Sequence, residues 1–477
     1  MPMISLHFKP ADGYVGDIIP FYWNGKFHAF YLKRQEGRED SPGVQLLIWA
    51  HAVSTDLVHW EELPDALHVG EPGDPDSKGC WTGSVIEGEG TFHIFYTGYS
   101  AGEGKYPPQT VCHATSRDLI HWKKDPTNPI IVPETKWYEN DDWRDPFVFR
   151  NGLENCYWML VTARVRDGST PRRGCIALAK SKDLKSWIVH PPLWKPYLVY
   201  APECPDLFRM GKRWYLIFSN VETRYRFAKE LAGPWLSFPV ESFDSERFYA
   251  AKTLTDGKRR LLLGWMPSQK GGRDDGQWEW GGHMALPREI FVQPDGSLGI
   301  RCPEEIIRQF KDDIIRRGLP VQYEVGTGSW SINDRSYIGR AEDGSAFIRF
   351  PNIPDDYLLE AKVTLDSAAA SAGFMLRMSE RLESGYTLTL EPYAHRVAFR
   401  YWRTWGDAAP HIERPLDISP GKPIGCQVFV EETLLEAFFN EQIVLSARMY
   451  NFATGQLCLF AQNGEASFAG LHLTKRS

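Results

Sequence analysis

The 477-residue sequence exceeds one average domain of ~100 to 150 residues. Its 43% hydrophobic and 24% charged residues, with 41 Gly and 33 Pro, describe a turn-rich folded protein and exclude collagen, coiled coil and long disorder. A formal net charge of -7 argues against a nucleic-acid partner, which needs a basic stripe to release counterions, and no run approaches the ~18 apolar residues that span a bilayer; the expected ligand is neutral or cationic.

The start, MPMISLHFKPADG, has no basic region followed by an apolar core, so no secretory signal is read and the cytoplasm is the expected compartment. Eight cysteines without a C-x-x-C pair read as buried small hydrophobes rather than a disulfide framework or a zinc ribbon. Two elements then recur along the chain. One is a Gly-containing turn followed by an aromatic and aliphatic run: NGKFHAFYL from Asn24, EGTFHIFYTG from Glu89, NGLENCYWMLVTA from Asn151, MGKRWYLIFS from Met210 and DGKRRLLLGWM from Asp256. Their glycines (25, 90, 152, 211, 257) step by 65, 62, 59 and 46 residues, each step long enough for a four-stranded antiparallel sheet with its loops. The other is a strand-like run ending in S-x-D-L and a Trp: HAVSTDLVHW (51–60), HATSRDLIHW (113–122) and LAKSKDLKSW (178–187), which suits a hairpin whose Asp caps the turn through its own backbone. Five units predict an all-β, five-bladed propeller over residues 1–302.

In a propeller the first strand of each blade lines the central channel. Asp17 lies 8 residues before Gly25, Asp145 lies 7 before Gly152 and Glu203 lies 8 before Gly211, while the other two blades place WTGS (81–84) and YAAKT (249–253) nearby. Each acid is embedded in an apolar run (GDIIPFY, RDPFVF, PECPDLF). Acids in such strands are rarely buried without a partner or a job: either the three converge as an active site, or they are structural acids pairing with Arg144 and its neighbours. Asp56, Asp118 and Asp183, in the S-x-D-L turns, read as structural. Three carboxylates in a narrow aromatic channel suit glycoside hydrolysis, where one attacks, a second of raised pKa protonates the leaving oxygen, and a third holds the sugar. Arg144 is expected to keep Asp145 ionised. Glu203, between Pro202 and Cys204, has the less polar neighbourhood and is the expected proton donor, leaving Asp17 as nucleophile in a retaining geometry with the pair ~5 to 5.5 Å apart. There is no G-x-S-x-G, P-loop or H-E-x-x-H, and the scattered histidines read as blade residues rather than metal ligands.

Seven segments in order, over roughly residues 5 to 300, resemble the successive motifs of glycoside hydrolase family 32, the invertases and fructanases. They are HFKPADGYVGDIIPFYWNGKFHAFY (7–31), IWAHAVSTDLVHW (48–60), WTGSVI (81–86), WRDPFVF (143–149), PECPDLF (202–208), FYAAKT (248–253), and GWM with MALPRE (264–266 and 284–289). The resemblance implies a five-bladed propeller with a C-terminal β-sandwich, and retaining release of β-fructofuranosyl units without metal or other cofactor. Carried over motif by motif, it makes Asp17 the nucleophile, Asp145 the residue that binds fructose hydroxyls and stabilises the transition state, and Glu203 the acid/base, with binding roles at Trp49, Trp81, Ser84, Arg144 and Tyr249. The tryptophans are equally open to a blade-packing role. The sequence departs from the family where W-M-N-D-P-N-G is replaced by Tyr14-Val15-Gly16-Asp17-Ile18-Ile19-Pro20, and where Leu32 replaces a Gln. Lost amides alter the substrate more than the reaction type, which points to a divergent subgroup for short fructooligosaccharides or sucrose-type substrates.

PEEIIRQFKDDIIRRGLP (303–320) starts with Pro, carries Ile306, Ile307, Phe310, Ile314 and Ile315 at helical spacing and stops at Gly318 and Pro320, predicting a helical linker. Beyond it, short alternating strands such as SAFIRF, LLEAKVTL, AGFMLRM, YTLTLEP, RVAFRYW and QLCLFAQ predict a β-sandwich over 321–477, in which Tyr401, Trp402 and Trp405 either pack or touch a ligand or partner. The chain therefore reads as an exo-acting β-fructofuranosidase with a small carbohydrate substrate and no nucleic-acid or membrane partner. A fructosyltransferase and a non-catalytic sugar-binding propeller with a lectin-like sandwich stand as alternatives, and oligomeric state is left open.

Overall fold

The computed structural model describes residues 5–34, 46–315, 324–404 and 406–476. The architecture is all-β, a five-bladed propeller followed by a β-sandwich; among the described residues the only α-helix is Glu304–Ile307. Each blade opens as the Gly repeat predicts. Ile18–Trp23 pairs with Lys26–Arg34 through a turn in which Asn24 and Gly25 have φ of 49° and 81°, the left-handed pair that matches hairpin twist and that Asn-Gly adopts at low cost. The S-x-D-L turns are built alike: Asp56, Asp118 and Asp183 each accept two backbone N–H bonds of 2.8 to 3.0 Å from the residues two and three further on, as an Asx cap requires.

Hydrophobic layers between blades hold the ring. Phe30, Trp49, Ile94 and Tyr96 fill the space between the first two blades, and Tyr31, Ala50, Leu261 and Leu263 that between the first and the last. The N-terminal segment closes the ring, because Val15 exchanges two backbone bonds with Gly282 (3.0 and 2.9 Å) in the strand Trp278–Met284. All eight cysteines are buried and free of disulfides, as small hydrophobes, Cys426 and Cys458 in the sandwich and the others in the first 302 residues.

The helical linker is corrected. Helix is confined to Glu304–Ile307, and Phe310–Asp313 is a strand paired with the C-terminal strand, Phe310 opposite Arg476; residues 316–320 lie outside the described residues. The apolar spacing that suits a helix is equally met by one turn followed by a strand, and ladder pairing to residues far away in sequence decided between them. In the sandwich the 21-residue strand Gln456–Arg476 pairs with Ser336–Phe350, Tyr357–Leu365 and Ser371–Met378. The 13-stranded sheet thereby folds round one core containing Leu359, Phe374, Leu388, Phe399, Leu445 and Phe468.

Sandwich and propeller are locked by buried charge. Arg288, fully buried, donates to Asp244 (2.8 Å) and to Glu436 of the sandwich (2.5 Å). Asp274, in the hairpin beyond Gln269, accepts from the Tyr386 hydroxyl (2.7 Å) and the Tyr450 N–H (2.6 Å). Among the described residues no helix is long and apolar enough to cross a membrane.

Candidate active site

Four of the five inner strands carry a β-bulge at the same level. The register slips between Trp81 and Gly83, between Arg144 and Phe147, between Glu203 and Asp206, and between Tyr249 and Lys252. Inside the last three bulges Asp145, Cys204 and Ala250 have φ of 60°, 52° and 49°, a region that costs a non-glycine residue free energy and is kept where surroundings enforce it. Pro146 and Pro205 suit these positions, since a bulged residue owes the ladder no N–H. A bulge bends the strand and re-aims its side chains. The residue that opens each bulge (Trp81, Arg144, Glu203, Tyr249) turns onto one cavity of about 480 Å³, which Asp17 and Asp145 also line, so all five blades contribute.

The three acids predicted to converge do so. Asp17 accepts from Trp265 Nε1 at 3.1 Å and lies 3.7 Å from the Cys204 thiol. Asp145 accepts from the Cys204 N–H (2.9 Å) and the Thr162 hydroxyl (3.1 Å). Glu203 accepts from Arg144 Nη2 at 2.9 Å and from the Tyr249 hydroxyl. Burial, then the charges of Asp145 and Glu203, push Asp17 up to about 7, with Trp265 and Lys252 opposing. Asp145 is also raised, chiefly by burial, although Arg144 pulls the other way. Lys252, 1% exposed, donates to the Gly83 carbonyl at 3.0 Å and is the buried cation that moderates both.

Arg144 favours ionised Asp145, as expected, without cancelling the effect of burial, and it sits closer to Glu203 and Asp142 (2.5 Å) than to Asp145, from which its Nε stands 3.9 Å away. One electrostatic expectation is corrected. Glu203 is not in the less polar neighbourhood; a guanidinium and a phenol hold its two oxygens, and burial weighs instead on Asp17 and Asp145. Of the binding candidates, Trp81, Arg144 and Tyr249 line the cavity, with Trp81 stacked on Tyr99 at 4.0 Å between ring centroids. Trp49 does not: it is fully buried between blades and donates to the Trp81 carbonyl at 2.8 Å. Ser84 also lies elsewhere, accepting the Val148 N–H at 3.0 Å and so tying the second blade to the third. Both follow from strand alternation, since the wall of a channel receives only some residues of each motif. Sequence reasoning missed Trp265, Trp280, Tyr99 and Lys252. Trp265 and Lys252 stand inside motifs whose family likeness was noted, and that was the available signal. Among the described residues no cluster of three or more His, Cys, Asp or Glu is arranged to hold a metal ion.

The sequence profile of the glycosyl hydrolases family 32 N-terminal domain matches residues 7–300. The chain belongs to glycosyl hydrolase family 32. This family 32 chain is 27% identical to raffinose invertase of Escherichia coli over 96% of its own length and 92% of the relative's. It is 31% identical to sucrose-6-phosphate hydrolase of Zymomonas mobilis over 64% and 63%. Its fold superimposes on fructan 1-exohydrolase IIa of Cichorium intybus with a TM-score of 0.72 at 20% identity, covering 99% and 97% of the two chains. Sucrose-6-phosphate hydrolase of Lactobacillus gasseri gives 0.74 at 19%, covering 99% and 92%. As a member of family 32 the protein is a glycoside hydrolase.

Proposed function

We propose that the protein is a retaining, exo-acting β-fructofuranosidase that releases terminal fructosyl units from short fructooligosaccharides or sucrose-type substrates. The observation that carries the reading is the convergence of Asp17, Asp145 and Glu203, from three blades, on one cavity; the relatives named as invertases and sucrose-6-phosphate hydrolases support the substrate class. Asp17 attacks the anomeric carbon of the fructosyl unit while Glu203 gives its proton to the departing glycosidic oxygen. Glu203, now a carboxylate, then takes a proton from water, whose oxygen displaces Asp17 and frees fructose. Attack by Asp17 thus requires its anion, while Glu203 is the donor to the leaving oxygen. Asp145, held by Cys204 and Thr162, accepts hydrogen bonds from sugar hydroxyls, and Arg144 and Tyr249 orient Glu203. The cavity has room for more than one sugar ring, and Leu32, Leu47 and Trp280 give it an apolar wall.

The test is a product profile with sucrose, kestose, nystose, inulin and levan, run beside Glu203→Ala. Fructose release that falls by about 10² to 10⁴ in the variant, the usual contribution of a general acid, supports the reading. Longer or cyclised products would make the chain a fructosyltransferase. Sugar binding without turnover of any substrate would make it a binding propeller.

A further inference from the structure

Arg144 meets Glu203 with one half of its guanidinium and is gripped by the other. Its Nη2 donates to Glu203 Oε1 at 2.9 Å, while Nη1 donates to Asp142 Oδ1 at 2.5 Å and to Gln109 Oε1 at 3.2 Å. Asp142 and Arg144 lie two residues apart on the strand Tyr138–Asn151, so their side chains share one side of it, and the buried Trp143 between them packs into a hydrophobic layer on the other. Asp142 is itself fixed. Its Oδ2 lies 3.3 Å from Arg164 Nε and accepts from the Tyr200 hydroxyl at 3.4 Å. Arg164, 2% exposed, is held in turn by Glu139 (2.7 Å) and by the carbonyls of Tyr200 (2.9 Å) and Thr170 (3.0 Å), and Arg173 closes on Glu139 at 2.6 Å. From Glu203 to Arg173 the charges alternate in sign, three acids with three arginines, so the row is neutral as a whole.

This row decides how the guanidinium is used. A free arginine fork matches a carboxylate with two parallel bonds, and two carboxylates are near: Glu203, and Asp145 with its Oδ2 3.9 Å from Nε. With Nη1 anchored on Asp142, one nitrogen is left for Glu203, and it reaches one oxygen. Arginine only donates, so Oε1, which receives Nη2, is not the oxygen that carries the transferable proton. That proton falls to Oε2, whose neighbour is the Tyr249 hydroxyl, a group that either donates or accepts.

We infer, resting on the fructosidase reading, that Asp142 is a positioning residue for the acid step: by holding Arg144 to a single bond with Oε1, it keeps the Glu203 proton on Oε2. Asp142 touches no reacting atom and acts through Arg144. Without it the fork is free to close on Glu203 with two bonds, which favours the carboxylate over the acid. The leaving oxygen then loses its proton source, while attack by Asp17 is not directly affected.

The experiment compares kcat/KM of the full-length wild type, Asp142→Asn and Asp142→Ala on sucrose, kestose and β-D-fructofuranosyl fluoride. The two sugars depart as alkoxides that need a proton, whereas fluoride leaves with little help from an acid. The expected result is that the ratio of kcat/KM on the sugars to kcat/KM on the fluoride falls at least about tenfold in both variants, as part of the 10² to 10⁴ that a general acid contributes. Glu203→Ala should show the same preference more strongly. Asp142→Asn keeps the volume and an acceptor oxygen, so it carries the test should Asp142→Ala fail to fold. An equal loss on all three substrates, the mark of a merely structural role, or no loss at all would overturn the inference and leave the fructosidase reading standing. A wild-type chain that releases fructose from neither sugar would overturn both.

Discussion

Trp280 occupies the space that a side chain at position 16 would fill: a Cβ on Gly16 would lie 2.2 Å from Trp280 Cη2 and 2.3 Å from Cζ2. Gly16 immediately precedes Asp17, and its N–H donates to the Leu32 carbonyl at 2.8 Å. The absence of a side chain here and the indole packed into its place form one apolar wall beside the carboxylates. Gly16→Ala should therefore push Trp280 into the cavity and lower kcat/KM at least about tenfold, since displacements of an ångström at a site carry such costs. Adding Trp280→Leu should recover part of the loss, because the two positions share one volume. Steady-state kinetics of the four proteins checks this; additive losses would mean that the two residues act separately.

Asp17 makes the second prediction. In the proposed mechanism its ionised form attacks, and burial with two neighbouring carboxylates lifts it to about 7, so kcat/KM should fall as pH drops below about 7. Lys252 favours the anion, and Lys252→Met should move that limb to higher pH. The same shift has a stability consequence: a carboxyl raised above its usual 3.8 stabilises the fold fully below that value, and the stabilisation is lost as pH rises through about 7. The rise corresponds to about 4 kcal/mol, reduced to roughly 2 because Asp17 is partly open to the cavity. Asp17→Asn should hence raise Tm at pH 8 and show a shrinking advantage toward pH 4. A pH-independent difference in calorimetry would contradict the assignment.

The propeller was legible because its signals are local. Asn24 and Gly25 need left-handed backbone, Asp56, Asp118 and Asp183 cap their own turns, and both features recur at blade spacing whatever surrounds them. The three acids were legible because each sits seven or eight residues before the glycine of its turn. Which side of a strand faces the channel was not legible: the bulges that aim Trp81, Arg144, Glu203 and Tyr249 inward depend on pairing with the second strand, and only Pro146 and Pro205 marked two of them in the sequence. Trp49 and Ser84 were misplaced for that reason. The polarity round Glu203 also escaped, since Tyr249, 46 residues away, supplies half of it. In the 303–320 segment a partner at the far C-terminus outweighed local helical spacing.

The two tryptophans of the family motifs should separate cleanly. Trp49, buried in the layer between the first two blades, should cost about 3 to 5 kcal/mol as Trp49→Ala, while the conservative Trp49→Phe keeps KM close to wild type. Trp81, at the cavity and stacked on Tyr99, should as Trp81→Ala raise KM several-fold with little change in Tm. Thermal melts and Michaelis curves on the three variants decide the matter; a KM effect from Trp49→Phe would return that residue to the substrate site.

His7 carries the last prediction, at the seam between propeller and sandwich. Its Nδ1 lies 2.6 Å from Glu431 and its Nε2 3.0 Å from Glu436, with 1% of its side chain exposed. Burial works against a charged ring, but the two carboxylates outweigh it and raise His7 to about 9. A histidine raised above its usual 6.5 contributes stability that is complete below 6.5 and fades as pH rises through about 9, on the order of 3 kcal/mol in all. The ion pairs among His7, Glu431, Glu436 and Arg288 cross the domain interface, so deprotonation leaves Arg288 as the one cation paired with Glu436 among the described residues and loosens the seam. His7→Gln should be less stable than wild type at pH 6, and the gap should close by about pH 9. Denaturant melts at pH 6, 7.5 and 9 measure it, and parallel pH profiles for the two proteins would show that His7 is neutral in the folded state.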